Sequence, residues 1–173
     1  MVNNLLILFS AMLIVLCVFP MIIKYIKKKK RYNLMKKSGI RDIDRMKGYQ
    51  FEAYLQVLFR ELGYRPVVTQ QSGDYGADVV LEGRNKIVIQ AKRYGYKHQV
   101  SMDAVREVLA AMFFYKADEA WVITNSFFTK HAETLAKACD VKLLNRYELE
   151  KFIVKINPTN QPKQFTRKGS ELY

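Results

Sequence analysis

Histidine and cysteine are scarce here, with two of each in 173 residues. No zinc-ligand spacing occurs, and His98 has no second His or Cys nearby, so a transition-metal centre is not expected. Cys17 lies inside an apolar run and Cys139 at the end of a predicted helix, so the two should not pair, which fits a reducing compartment. A nucleotide-binding loop, a nucleophilic triad and internal repeats are also absent. Positive charge is missing where it would be most telling. The net charge is +13, but residues 24–47 hold eleven Lys or Arg against two Asp, and residues 151–173 hold five against one. Residues 48–150 are left with thirteen of each sign. Bulk charge therefore gives no support for nucleic-acid binding by the middle of the chain, and such a function has to rest on motif.

Charge is wholly absent from residues 5–23, LLILFSAMLIVLCVFPMII, which are apolar apart from Ser10. At 1.5 Å per residue this stretch would span about 28 Å, close to the hydrocarbon thickness of a bilayer. It lacks the basic leader, shorter core and small residues of a cleavable signal peptide, so an uncleaved transmembrane helix is expected. Residues 1–4 carry no charged side chain, whereas 24–31 are intensely basic. The positive-inside rule puts the amino terminus outside the cell membrane and everything after Lys24 in the cytoplasm. The expected organisation is a single-pass anchor at 5–23, a basic juxtamembrane linker at 24–47, an α/β domain at 48–154 and a basic disordered tail at 155–173.

Within the α/β domain the apolar period turns helical at Gly48, with Phe51, Leu55, Leu58, Phe59 and Leu62 on one face and Gly63 as the stop. Arg65-Pro66 reads as a break, followed by a short strand at 67–70. Residues 102–116 are predicted helical, with Ser101 as cap and Val105, Val108, Leu109, Met112 and Phe113 turned inward. A strand at 119–124, a helix at 129–138, a strand at 141–144 and a final helix at 147–154 follow. Strand, helix, strand with short links implies parallel pairing.

The chemistry concentrates in residues 73–94, GDYGADVVLEGRNKIVIQAKRY. Asp78 opens a strand at 79–82, and a second strand runs over 86–93. A period of two puts Gln90 and Lys92 on one face of that second strand. If 83–85 is a three-residue connection, with Gly83 or Asn85 supplying a positive φ, Asp78 lies opposite Gln90; a two-residue connection would point it away from Lys92. Asp78, Gln90 and the Ala91 carbonyl offer hard oxygen donors, which suit Mg²⁺ or Mn²⁺. Lys92 beside such an ion could hold or deprotonate a water and steady charge on a phosphate. An ordinary wetted hairpin face is the plain alternative. The loop after the hairpin, with Arg93, Tyr94, Tyr96 and Lys97, could meet a nucleic-acid strand by stacking and phosphate contact.

The run GADVV…IVIQAKRY resembles the Mrr-type branch of the PD-(D/E)xK nucleases, in which the second acidic position is commonly glutamine, as in Gln90-Ala91-Lys92. Upstream, Gly48-Tyr49-Gln50-Phe51-Glu52 is similar to the first helix of that family, and Val105-Arg106-Glu107, Ile123-Thr124-Asn125 and Leu143-Leu144 resemble its later elements in order. The resemblance covers about 48–154. It implies a restriction-endonuclease-like mixed sheet flanked by helices, Mg²⁺-dependent hydrolysis of DNA, and catalytic positions at Glu52, Asp78, Gln90 and Lys92, with Glu52, Asp78, Gln90 and Ala91 around the metal. Glu52 would offset the missing charge of Gln90. No helix-turn-helix or finger signal is present, so little sequence specificity is expected. A catalytically silent fold that binds DNA or a protein partner at the membrane is the alternative. RNA is a further possible substrate, and a homodimer would suit double-strand cutting.

Overall fold

The computed structural model describes residues 2–68, 76–95 and 98–158, with the side chains of 2–11 and 13–15 left outside. Two compact units divide at Lys37 and Ser38. The first is one helix, α1 (Val2–Lys37), which carries Pro20 internally and ends on Lys36 and Lys37. Among the described residues no helix is long and apolar enough to cross a membrane. The structure thus lends no support to the span expected at 5–23, most of whose side chains lie outside the described ones.

The second unit is built on a five-stranded mixed sheet in the order β1-β2-β3-β4-β5. A short helix, α2 (Ile40–Ile43), leads into α3 (Gly48–Glu61), and β1 (Arg65–Val68), β2 (Val79–Glu82) and β3 (Ile87–Lys92) follow as an antiparallel meander. Then α4 (Asp103–Tyr115) leads to β4 (Glu119–Thr124), and α5 (Lys130–Ala138) leads to β5 (Lys142–Leu144). Both β4 and β5 join in parallel, as the short strand–helix–strand links imply, and α6 (Arg146–Ile156) closes the unit. The first strand starts two residues earlier than expected and includes Pro66. Proline breaks a central strand but not this one, because β1 is the sheet edge and half of its backbone groups need no ladder partner. The expected residues 69–70 lie outside the described ones.

The alternation of β2, β3 and β4 creates two separate cores. Val80, Val88 and Val122 pack with Val105 and Val108 of α4 and Ala132 and Ala136 of α5. On the other face, Trp121 is the strand partner of Ile89, and the Phe59 ring of α3 meets Trp121 at 5.9 Å and Phe152 of α6 at 6.1 Å. Hence α4 and α5 cover one face while α3 and α6 cover the other. Each fully buried Leu, Ile or Phe contributes about 1.5–3 kcal/mol, so both layers are needed to hold a sheet this small. Phe113, expected inward, is 80% exposed. The buried stripe of α4 runs through Ala104, Val105, Val108 and Ala111, and 100° per residue carries Phe113 off it.

The hairpin has the anticipated register. Val79 pairs with Ile89, Val80 with Val88 and Leu81 with Ile87; Asp78, just before the ladder, donates its N–H to the Ile89 carbonyl at 2.9 Å and meets Gln90 through its side chain. The positive φ expected at Gly83 or Asn85 is not there. Lys86 leaves the β2 ladder: its N–H donates to Asp118 Oδ2 at 2.7 Å and its carbonyl accepts from Asp118 and Glu119. The connection is thereby wider than three residues and closes without a left-handed residue.

One polar latch ties the ends of this unit together. Asp44, just after α2, takes a two-pronged ion pair from Arg146 at 2.7 and 2.9 Å and a third bond from Asn125 Nδ2 at 2.8 Å. Burial alone would raise the Asp44 pKa, but bonds from Arg146 and Asn125 and the charges of Arg146 and Arg93 outweigh it and hold the carboxyl below its usual value. A carboxyl depressed in the folded chain stabilises it above the unfolded pKa, and that contribution is lost as pH falls through the folded pKa. Unfolding free energy should therefore be level near neutrality and fall below about pH 4, and urea titrations of Asp44→Asn should lose part of that acid slope. At pH 7, Asp44→Ala should cost about 2–3 kcal/mol, because Arg146 is left with its charge half-satisfied in a mostly buried position.

Candidate active site

Gly76, at a φ of +89°, brings the chain into β2 with Ala77 fully buried behind it. Asp78 follows, and its Oδ2 accepts two bonds across the hairpin, from Gln90 Nε2 at 2.8 Å and from the Ala91 N–H at 2.7 Å. The carboxylate, the amide and the Ala91 backbone are thus gathered at one point, although the connection is wider than the expected three residues. Gln90 is only 6% exposed, and with Nε2 committed to Asp78, its Oε1 is buried without a hydrogen-bond partner among the described residues. An orphaned buried acceptor costs about 1–3 kcal/mol, so this oxygen is poised for an electron-poor partner.

That feature is the test of fit for a hard cation. Asp78 Oδ oxygens and the bare Gln90 Oε1 are oxygen donors side by side, the chemistry of Mg²⁺ or Mn²⁺ sites. Among the described residues no three of His, Cys, Asp and Glu gather in a metal-binding group, so a cation here would lean on amide and backbone oxygens.

Two residues along the same strand face, Lys92 makes an ion pair from Nζ to Glu107 Oε2 of α4 at 2.5 Å. Its own carbonyl accepts from Thr124 Oγ1 at 2.6 Å, and that oxygen also accepts the Ser126 N–H at 3.1 Å. The end of β3 is therefore pinned at backbone and side chain. Of the neighbouring pair on α4, Arg106 pairs with Asp103 of its own helix at 3.1 Å, whereas Glu107 meets Lys92.

Glu52 is placed differently from the other expected site residues. It stands one turn into α3, whose ring contacts put that helix on the sheet face opposite Gln90 and Lys92. Its Oε1 lies 3.9 Å from the position a Gly48 Cβ would take, folded back toward the start of its own helix. Arg93 is turned into the domain, its Nη1 toward the Asp44 carbonyl at 3.4 Å. Tyr94 is held at both backbone atoms by one side chain, since its N–H donates to Asn125 Oδ1 and its carbonyl accepts from Asn125 Nδ2, each at 2.9 Å. Tyr96 and Lys97 lie outside the described residues.

The latch through Asp44, Asn125 and Arg146 was not visible in sequence, where Asp44 falls in a run counted as linker. An Asn closing an apolar strand was its one local sign.

The restriction endonuclease family model Mrr_cat matches residues 43–153. No curated protein matches the chain. Among solved structures, the DNA modification-dependent restriction endonuclease AspBHI aligns at a TM-score of 0.55 and 16% identity, covering 75% of this chain and 36% of its own. The MspJI restriction endonuclease, solved with a 27-mer oligonucleotide, aligns at 0.52 and 20% identity, covering 69% and 32%. A protein of unknown function, AF1548, aligns at 0.54 and 16% identity, covering 63% and 66%. At these identities the likeness is one of fold, and the chain spans about a third of the length of the two restriction endonucleases.

Proposed function

The chain belongs to the Mrr_cat restriction endonuclease family, and on that premise we propose that it is a membrane-anchored, Mg²⁺- or Mn²⁺-dependent DNA endonuclease with little sequence specificity of its own. The observation that carries this reading is the pairing of Asp78 with Gln90, which leaves Gln90 Oε1 bare and buried two residues before Lys92. Asp78, Gln90 and the Ala91 carbonyl would hold the cation. When bound, it supplies Lewis-acid charge to offset the negative charge that builds on the scissile phosphate. Lys92 binds and orients the attacking water and steadies the same phosphate, and Glu107 keeps its ammonium in place. These groups address phosphate oxygens rather than base edges, which supports cutting with little sequence preference.

Anchoring rests on the uncharged run at 5–23, through which the backbone is helical, and on the basic residues that follow. In this reading the amino terminus is outside and the nuclease domain is cytoplasmic. A silent DNA-binding fold is the second reading, favoured by the neutral Gln90 and by the engagement of Lys92 with Glu107.

Supercoiled plasmid decides between them. The chain in detergent micelles should relax it with Mg²⁺ or Mn²⁺ and not with chelator, and Asp78→Ala should lose that activity. A folded wild type that binds DNA but never nicks it with either metal would establish the silent reading instead. A single defined cleavage site would overturn low specificity.

A further inference from the structure

Gln90 gives the cation no charge, so Asp78 alone would supply one carboxylate to a divalent ion. The resemblance assigns the second to Glu52, but α3 packs on the opposite side of the sheet. The carboxylate on the correct side belongs to α4. Two independent contacts fix Glu107 there. Its Oε2 meets Lys92 Nζ at 2.5 Å. Its backbone is so close to the entry of β2 that a Cβ on Gly76 would sit 2.5 Å from the Glu107 carbonyl oxygen and 3.3 Å from its Cα. Glu107 is therefore wedged between the residue two before Asp78 and the residue two after Gln90. Gln90 Oε1, on the same sheet face as Lys92, is buried and has no hydrogen-bond partner among the described residues.

We propose that Glu107 supplies the second carboxylate of the metal centre, in the charge role that Gln90 leaves vacant. One carboxylate oxygen stays on Lys92 and the other serves the cation, so a single side chain sets both the metal charge and the position of the ammonium. The inference rests on the metal-dependent reading above.

The test is Mn²⁺ binding to the full chain in micelles without DNA, read by electron paramagnetic resonance of the free ion. Glu107→Gln keeps the shape of a side chain that is 44% exposed, so the fold should survive, as circular dichroism would verify. It should weaken Mn²⁺ binding by about tenfold or more, whereas Glu52→Gln should stay within about twofold. Adding Gln90→Glu to Glu107→Gln, which returns a carboxylate from the strand, should regain affinity. A Glu107→Gln chain that binds Mn²⁺ like the wild type overturns the proposal, and if it also nicks poorly, Glu107 serves only to position Lys92. A loss carried by Glu52→Gln instead overturns it too. A wild type that binds no Mn²⁺ removes the metal-dependent reading itself, and this inference with it.

Discussion

Lys92→Ala is expected to nick plasmid about 10²–10³-fold more slowly than the wild type, while binding DNA and Mn²⁺ nearly as well. The magnitude follows from what the side chain does in this geometry. Lys92 stands on the Asp78–Gln90 face, and it is held at three points: the β4 ladder, Thr124 Oγ1 on its carbonyl, and Glu107 on its ammonium. A charge held before substrate arrives needs no reorganisation at the moment of reaction, which is where electrostatic catalysis gains most. Truncation leaves Glu107 facing the phosphate without its counterion, adding repulsion to the lost stabilisation. Lys92→Arg separates two roles, because a guanidinium keeps the charge but does not give up its proton. Activity near wild type in Lys92→Arg would assign an electrostatic role, and activity as low as in Lys92→Ala would assign proton transfer or a demand for the smaller head. A Lys92→Ala chain that cuts at full speed would remove Lys92 from the reaction.

The part of this site legible in sequence was the part governed by local rules. A period of two is enough to bring Asp78 and Gln90 to one face, and the bond between their side chains at 2.8 Å agrees, although the turn between the strands is wider than expected. Helix boundaries were legible for the same reason: apolar spacing and a stop at Gly63 delimit α3, and Thr129, whose Oγ1 accepts the Ala132 N–H at 3.2 Å, opens α5. What escaped depends on packing between distant segments. Asp44 and Arg146 are 102 positions apart, and nothing near either residue names its partner. Amphipathic spacing shows that α3 has a buried face, but not which side of the sheet receives it, and on that choice hangs whether Glu52 or Glu107 stands with Lys92. Phe113 failed for a related reason, since an apolar residue one step past a helical stripe is indistinguishable by type from a core residue.

Gly76→Ala is expected to destabilise the second unit by about 2–4 kcal/mol and to abolish nicking, although it adds one methyl group outside any proposed metal ligand. Two costs coincide. At a φ of +89° an L side chain is strained, and the added Cβ would lie 2.5 Å from the Glu107 carbonyl oxygen and 2.9 Å from its carbonyl carbon. Neither atom is the free end of a side chain; both belong to the α4 backbone, and α4 is packed through Val105 and Val108 into the core against the sheet. Relief must come from the chain entering β2, which moves Asp78, or from α4, which moves Glu107 off Lys92. Either movement of about 1 Å is enough to lower a positioned reaction by about a hundredfold. Urea unfolding of residues 38–173 followed by circular dichroism gives the stability, and plasmid nicking gives the consequence for the site. A Gly76→Ala chain as stable and active as the wild type would mean that α4 can stand further from β2, and the close seat of Glu107 beside Asp78 would lose its structural basis.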